Sequence, residues 1–153
     1  MTPVTKFQKL ASNEIEAANR AEITARLIRL GYKVYRPEAD SGGEDLVLRT
    51  PKGNLLSVQL KGRPSVDQKK YGGDRSIWML FPDPKGDWKL GRSWFLVPHC
   101  KLFEWFKSRH GHTVSMREGE GWSENGISVE MREFLHKYSL PTRGRTHLGS
   151  SVA

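Results

Sequence analysis

Apolar positions along the chain change period several times, and each change marks an element. From Glu14 to Leu30 the period is helical: at about 100° per residue, Ile23, Leu27 and Leu30 form one stripe, with Ala17, Ala21, Thr24 and Ile28 beside it. Ser12 or Asn13 is the expected N-cap, Glu14 and Glu16 suit the first turn, and Gly31 falls where a C′ glycine ends a helix. Tyr32 to Arg36 then alternates as a strand does, and 37–43 is a loop. Leu46-Val47-Leu48, the turn residues Thr50 to Asn54 and the alternating run from Leu55 to Lys61 together predict a β-hairpin. Ile77 to Phe81 and Ser93 to Val97 are compact apolar runs that predict two more strands, joined through 82–91. Leu102, Phe103, Trp105 and Phe106 predict a second helix over 101–108, just after Pro98, and Val129 to Tyr138 a third. The segment 62–76 is expected to be a mobile basic loop and 109–126 a long polar connection. The predicted order is α-β-β-β-β-β-α-α, an α/β protein with about five strands.

The polar positions sharpen this outline. On the second hairpin strand a period of two puts Leu56, Val58 and Leu60 on one face and Ser57, Gln59 and Lys61 on the other. Gln59 and Lys61 then lie roughly 7 Å apart at Cα, and Asp45, just before the apolar part of the first strand, is in reach of them. On the first helix Glu22, four residues before Arg26, reads as a solvated ion-pair residue. Glu16, seven residues before Ile23, projects instead from the core-facing side. An acid from the helix and an acid, an amide and an amine from the hairpin are thus candidates for one site.

Composition narrows the partner. The chain has 153 residues, 37% of them apolar, enough for one domain with its own core, assigned to 1–139, and a small, basic tail over 140–153 expected to be disordered. Lys and Arg number 25 against 17 Asp and Glu, a formal charge of +8 that suits a polyanion such as nucleic acid. Arg63, Lys69, Lys70 and Arg75 surround Tyr71 in the basic loop, an arrangement suited to backbone contact and stacking on DNA. The single cysteine, Cys100, excludes an internal disulfide framework and a Cys-rich zinc site, and is expected to be a buried or partly buried thiol. His110 and His112 read as surface polar residues. No secretory h-region and no run of about 18 apolar residues is found, so no membrane partner is expected and a cytoplasmic location is.

A helix with an acid on its inner face, the pair Gly31-Tyr32, a strand, Asp45 opening the next strand and Gln59-Leu60-Lys61 closing the hairpin resemble the PD-(D/E)XK nuclease superfamily. Over residues 13–63 the wording is most similar to the branch with Gln in place of the motif's acid, which includes some intron-encoded endonucleases; Holliday-junction resolvases share the layout more distantly. The resemblance implies a restriction-endonuclease-like mixed sheet flanked by helices and Mg²⁺- or Mn²⁺-dependent hydrolysis of DNA phosphodiester bonds. It also implies catalytic roles for Glu16, Asp45, Gln59 and Lys61. Asp45, Gln59 and the Leu60 backbone carbonyl would be metal ligands, with Glu16 reaching the metal through water. A homodimer remains open, because nucleases of this fold often pair two sites to cut two strands.

Three positions depart from the pattern. Glu44 stands where the family has Pro. Arg20, eleven residues before Gly31, occupies the usual place of the helix acid, so Glu16 matches one turn earlier, with Glu22 as the fallback. Gln59 removes one negative charge, which weakens metal binding unless Glu16 or Asp40 compensates. These departures motivate a second reading, a nuclease-fold protein that binds nucleic acid without cleaving it; a third is an interaction domain with no nucleic-acid role.

Overall fold

A computed structural model describes residues 1–39, 44–73 and 76–142. Helix α1 spans Ser12–Arg29. Its cap is Ala11, one residue before the expected Ser12 or Asn13: the Ala11 N–H donates to the Glu14 carboxylate at 2.9 Å, so an acid inside the first turn satisfies the helix start. At the other end Gly31 takes φ +90°, and the N–H groups of Gly31 and Tyr32 donate to the carbonyls of Ile28 and Leu27, both at 3.0 Å, a Schellman closure. The buried stripe is narrower than the sequence predicts. Ile23 and Leu27 are fully buried, whereas Ile28, Ala17 and Ala21 are exposed.

Strands β1 (Lys33–Tyr35), β2 (Leu46–Arg49) and β3 (Leu55–Leu60) form an antiparallel meander. The β2–β3 turn closes through Gly53, at φ +94°, whose N–H donates to the Thr50 carbonyl at 2.8 Å. Strands β4 (Ser65–Asp67), β5 (Ile77–Pro82), β6 (Trp94–Pro98) and β7 (Gly121–Ser123) follow, with helices α2 (Gln68–Tyr71), α3 (His99–His110) and α4 (Val129–Leu135). The main sheet has the order β1-β2-β3-β5-β6, with β3 and β5 parallel and the other pairs antiparallel. It is a mixed five-stranded sheet flanked by helices.

Alternation along the strands divides the core into two layers. Leu46, Leu48, Val58, Leu80, Trp94 and Leu96 pack with Ile23 and Leu27 of α1. Ile77, Met79, Phe81, Phe95 and Val97 face the opposite way and pack with Leu102 and Phe106 of α3 and Met131 and Leu135 of α4. Among the described residues no helix is long and apolar enough to cross a membrane.

Four further expectations change. The segment 62–76 is structured where it is described: β4 pairs antiparallel with β7, in the register Ser65 to Ser123, and α2 follows directly, capped by the Asp67 carboxylate on the Lys70 N–H at 3.0 Å. The polar connection 109–126 supplies β7 and a π-turn, Ser115–Gly119, whose Met116 is buried. Cys100 is exposed, because it lies in the first turn of α3 on the side away from Leu102 and Phe106. Leu140, placed in the tail by composition, is buried against the α1 layer: its N–H donates to the Trp94 carbonyl at 2.9 Å and Ser139 bridges to Phe95. The remainder of the expected tail, from 143, lies outside the described residues.

Candidate functional site

The β2–β3 register decides where the polar side chains of the hairpin go. Leu46 pairs with Val58, and both enter the α1 layer, so alternation turns Asp45, Gln59 and Lys61 together to the other side of the sheet. Asp45 sits one residue beyond the last paired position of β2. Its N–H still donates to the Val58 carbonyl at 2.8 Å, and its Oδ2 accepts the Leu60 N–H at 3.0 Å. That second bond fixes the carboxylate beside the end of β3. Gln59 is buried, 8% exposed, whereas Lys61 is half-buried.

Helix α1 meets the same place with its first half. Asp45, Gln59, Leu60 and Lys61 line one cavity of about 200 Å³ with Glu16 and Arg20, and Asn19 and Gly62 complete its wall. The sequence candidates Glu16, Asp45, Gln59, Leu60 and Lys61 therefore share a cavity, and the cation at the family's usual acid position shares it too. The donor set is two carboxylates, two amides and two cations. Among the described residues no group of three or more His, Cys, Asp or Glu side chains could hold a metal ion. Two carboxylates with an amide oxygen fit a hard cation that keeps much of its water, such as Mg²⁺, better than a fully protein-ligated ion. Asp40 lies outside the described residues.

Glu22 is not the solvated ion-pair residue its spacing suggests. Its carboxylate accepts from Arg92 Nε at 3.1 Å, Arg92 Nη2 at 2.9 Å and the Trp94 indole at 2.6 Å, while Arg92 Nη2 also donates to Asn19 Oδ1 at 2.8 Å. Arg26, the expected partner, donates instead to the Arg92 carbonyl at 2.7 Å. This cluster ties α1 to the start of β6 and orients Asn19, a wall residue of the cavity. Its members are about seventy positions apart, so no local pattern announces it.

The candidate DNA-contact residues behave differently from one another. Arg63 is exposed and its guanidinium donates to Asn125 Oδ1. Lys69 is exposed and donates to the Glu118 carbonyl at 2.7 Å, which ties α2 to the π-turn. Lys70 is exposed, with Nζ 5.4 Å from the centroid of the Tyr71 ring. Tyr71 itself is 3% exposed, so its ring is a core surface and not a platform for stacking bases. Arg75 lies outside the described residues.

The sequence reading missed His99. This side chain, 2% exposed, accepts the Asp67 N–H at Nε2 (3.1 Å), stacks on Phe103 and meets the Tyr71 ring edge-on. Burial pushes its pKa down to about 4 against the opposing pull of Asp67, so the ring is neutral and available as an acceptor at neutral pH. His110 is also more than a surface residue: it stacks on Trp122 with centroids 4.2 Å apart and lies 3.2 Å from Glu124. Pro98 before His99 is a local hint that a helix starts there, but it carries no information on which side chains of the first turn are buried.

No protein-family model matches the chain, and no curated protein does. Among solved structures the chain is similar to a bacterial homing endonuclease, I-Ssp6803I, at 19% identity and a TM-score of 0.45, over 61% of this chain and 70% of that one.

Proposed function

We propose that this chain is a metal-dependent endonuclease-like protein that hydrolyses DNA phosphodiester bonds at the cavity between α1 and the β2–β3 hairpin. The observation that carries the proposal is the convergence of Glu16, Asp45, Gln59 and Lys61, drawn from a helix and two strands, on one cavity. Asp45 and the Gln59 amide oxygen would hold Mg²⁺ or Mn²⁺ with the Leu60 carbonyl, and Glu16 would reach it through water. When bound, such a metal neutralises phosphate charge and acidifies a water. Lys61 orients that water or stabilises the charge that develops on the phosphate. The Leu60 N–H keeps the Asp45 carboxylate in place before any ligand arrives. The net charge of +8 draws the DNA in.

A second reading, DNA binding without cleavage, is favoured by Arg20 in the cavity and by the charge lost at Gln59. Incubation of supercoiled plasmid and of branched DNA with Mg²⁺ or Mn²⁺ separates the two. On the first reading the wild type nicks or cuts, and Asp45→Asn and Lys61→Ala each lose at least about 100-fold of the rate. Salt-dependent binding with no cleavage establishes the second reading. Equal cleavage by the wild type and both variants would falsify the site.

A further inference from the structure

Lys61 is shared with a second and larger cavity, of about 480 Å³. Its walls come from parts of the chain read as connections. Ser65 of β4 and Ser123 of β7 are cross-strand partners, so their side chains stand side by side on one face of the small sheet and both line the cavity, while Val66, next to Ser65 and paired with Trp122, is buried in the core and forms part of the cavity wall. Lys70 enters from α2 and Tyr71 closes the inner side. The ammonium groups of Lys61 and Lys70 lie 5.6 and 5.4 Å from the centroid of the same Tyr71 ring. An aromatic face attracts each of them, but two like charges over one ring repel. Among the described residues neither ammonium is within 4.0 Å of a carboxylate. The Asp67 carboxylate also lines the cavity, with its Oδ1 taken by the Lys70 N–H at 3.0 Å, so two ammonium groups and two paired hydroxyls against one engaged carboxylate leave a net positive, hydroxyl-bearing receptor for an oxyanion.

We infer that this cavity receives a phosphodiester of the bound nucleic-acid strand, the phosphate next to the one at Asp45. The inference rests on the reading of the first cavity as a DNA site; Lys61, common to both, sets the strand's path from one to the other. Lys70 supplies a charged contact, and Ser65 and Ser123 supply neutral ones.

The test is binding of a fluorescein-labelled DNA duplex in metal-free buffer, read by anisotropy over a salt series, with thermal melts to verify folding. Lys70→Ala is expected to weaken binding and to flatten the slope of log K against log salt by about one unit, as loss of one phosphate contact does. Lys70→Arg keeps the slope. The double variant Ser65→Ala/Ser123→Ala is expected to weaken binding several-fold with the slope unchanged, because hydroxyls release no counterion. Lys137→Ala, an exposed lysine outside the cavity, reports diffuse attraction. A slope unchanged in Lys70→Ala, an equal effect of Lys137→Ala, or wild-type affinity in the double serine variant overturns the inference. Cleavage is scored separately with Asp45→Asn: loss of the slope effect of Lys70 defeats this inference alone, whereas cleavage that survives Asp45→Asn defeats the catalytic reading alone.

Discussion

The cavity at Asp45 and the cavity at Tyr71 share a lysine but are assembled on opposite plans. The first is made by adjacent elements: a hairpin whose two strands are joined by a short turn, with α1 laid across its end. The second is made by segments that meet only through tertiary structure, since Ser65 pairs with Ser123 and Asp67 is held by His99. Local chain geometry therefore fixes the hairpin half of the first, to which the Glu22–Arg92 cluster holds α1, whereas long-range packing fixes every wall of the second. Disturbing the supports of each should reveal the difference.

The largest effect is expected from the clamp behind the first cavity. Glu22→Ala takes the acceptor from the Trp94 indole and the counter-charge from the Arg92 guanidinium, which keeps its bond to Asn19 Oδ1, and should destabilise the protein by about 2–3 kcal/mol in denaturant unfolding. Glu22→Gln, which keeps an acceptor, should lose less. Equal losses in both would mean that charge, and not hydrogen bonding, holds α1 to β6.

Next is the pH response of the second cavity's support. The folded-state pKa of His99 lies below the ordinary value, so the unfolded chain takes up a proton that the folded one refuses. Stability is then full above about pH 6.5 and falls as pH drops toward 4, by about 2 kcal/mol between pH 7.5 and 5. His99→Gln should flatten that part of the pH–stability curve; an unaltered curve would remove His99 as its cause.

Smaller again is Gly121→Ala. A methyl group there would sit 3.3 Å from the Val66 carbonyl oxygen, against a strand partner with little room to move, and should cost about 1 kcal/mol while shifting β7 away from β4. Binding of DNA should suffer more than stability does if the second cavity is used. The smallest effect has the opposite sign. The Tyr71 hydroxyl is buried and has no hydrogen-bond partner among the described residues, so Tyr71→Phe should leave Tm unchanged or raise it by a few degrees. A marked fall in Tm would show that the hydroxyl is satisfied in solution.

The same contrast explains what could be read from the residues. The α1 helix, the Gly31 stop, the hairpin and the alternation that groups Asp45, Gln59 and Lys61 all depend on neighbours within a few positions, and periodicity exposes them. The five-stranded sheet and its flanking helices follow from the same signals. Strands β4 and β7 are three residues each, too short for a period to register, and they exist because Val66 and Met116 are covered by the α3 and α4 layer. Glu22 was misassigned because Arg26 is its neighbour in sequence while Arg92 and Trp94 are its neighbours in space. Tyr71 was misassigned because a tyrosine among lysines and glycines looks like a loop residue until the core beneath it is known.

The contact of Leu140 and Ser139 with β6 has a consequence for colloidal behaviour. Strand β6 is the last strand of the sheet, and Trp94, Phe95, Leu96 and Val97 give it an apolar, β-prone sequence without charge. Its free side is occupied by the Ser139 bridge and the Leu140 N–H, a few residues of chain that act as a guard rail along an otherwise adhesive edge. A chain shortened before Ser139 would therefore be expected to fail by self-association, with turbidity rising steeply with protein concentration, while most of its secondary structure is still in place.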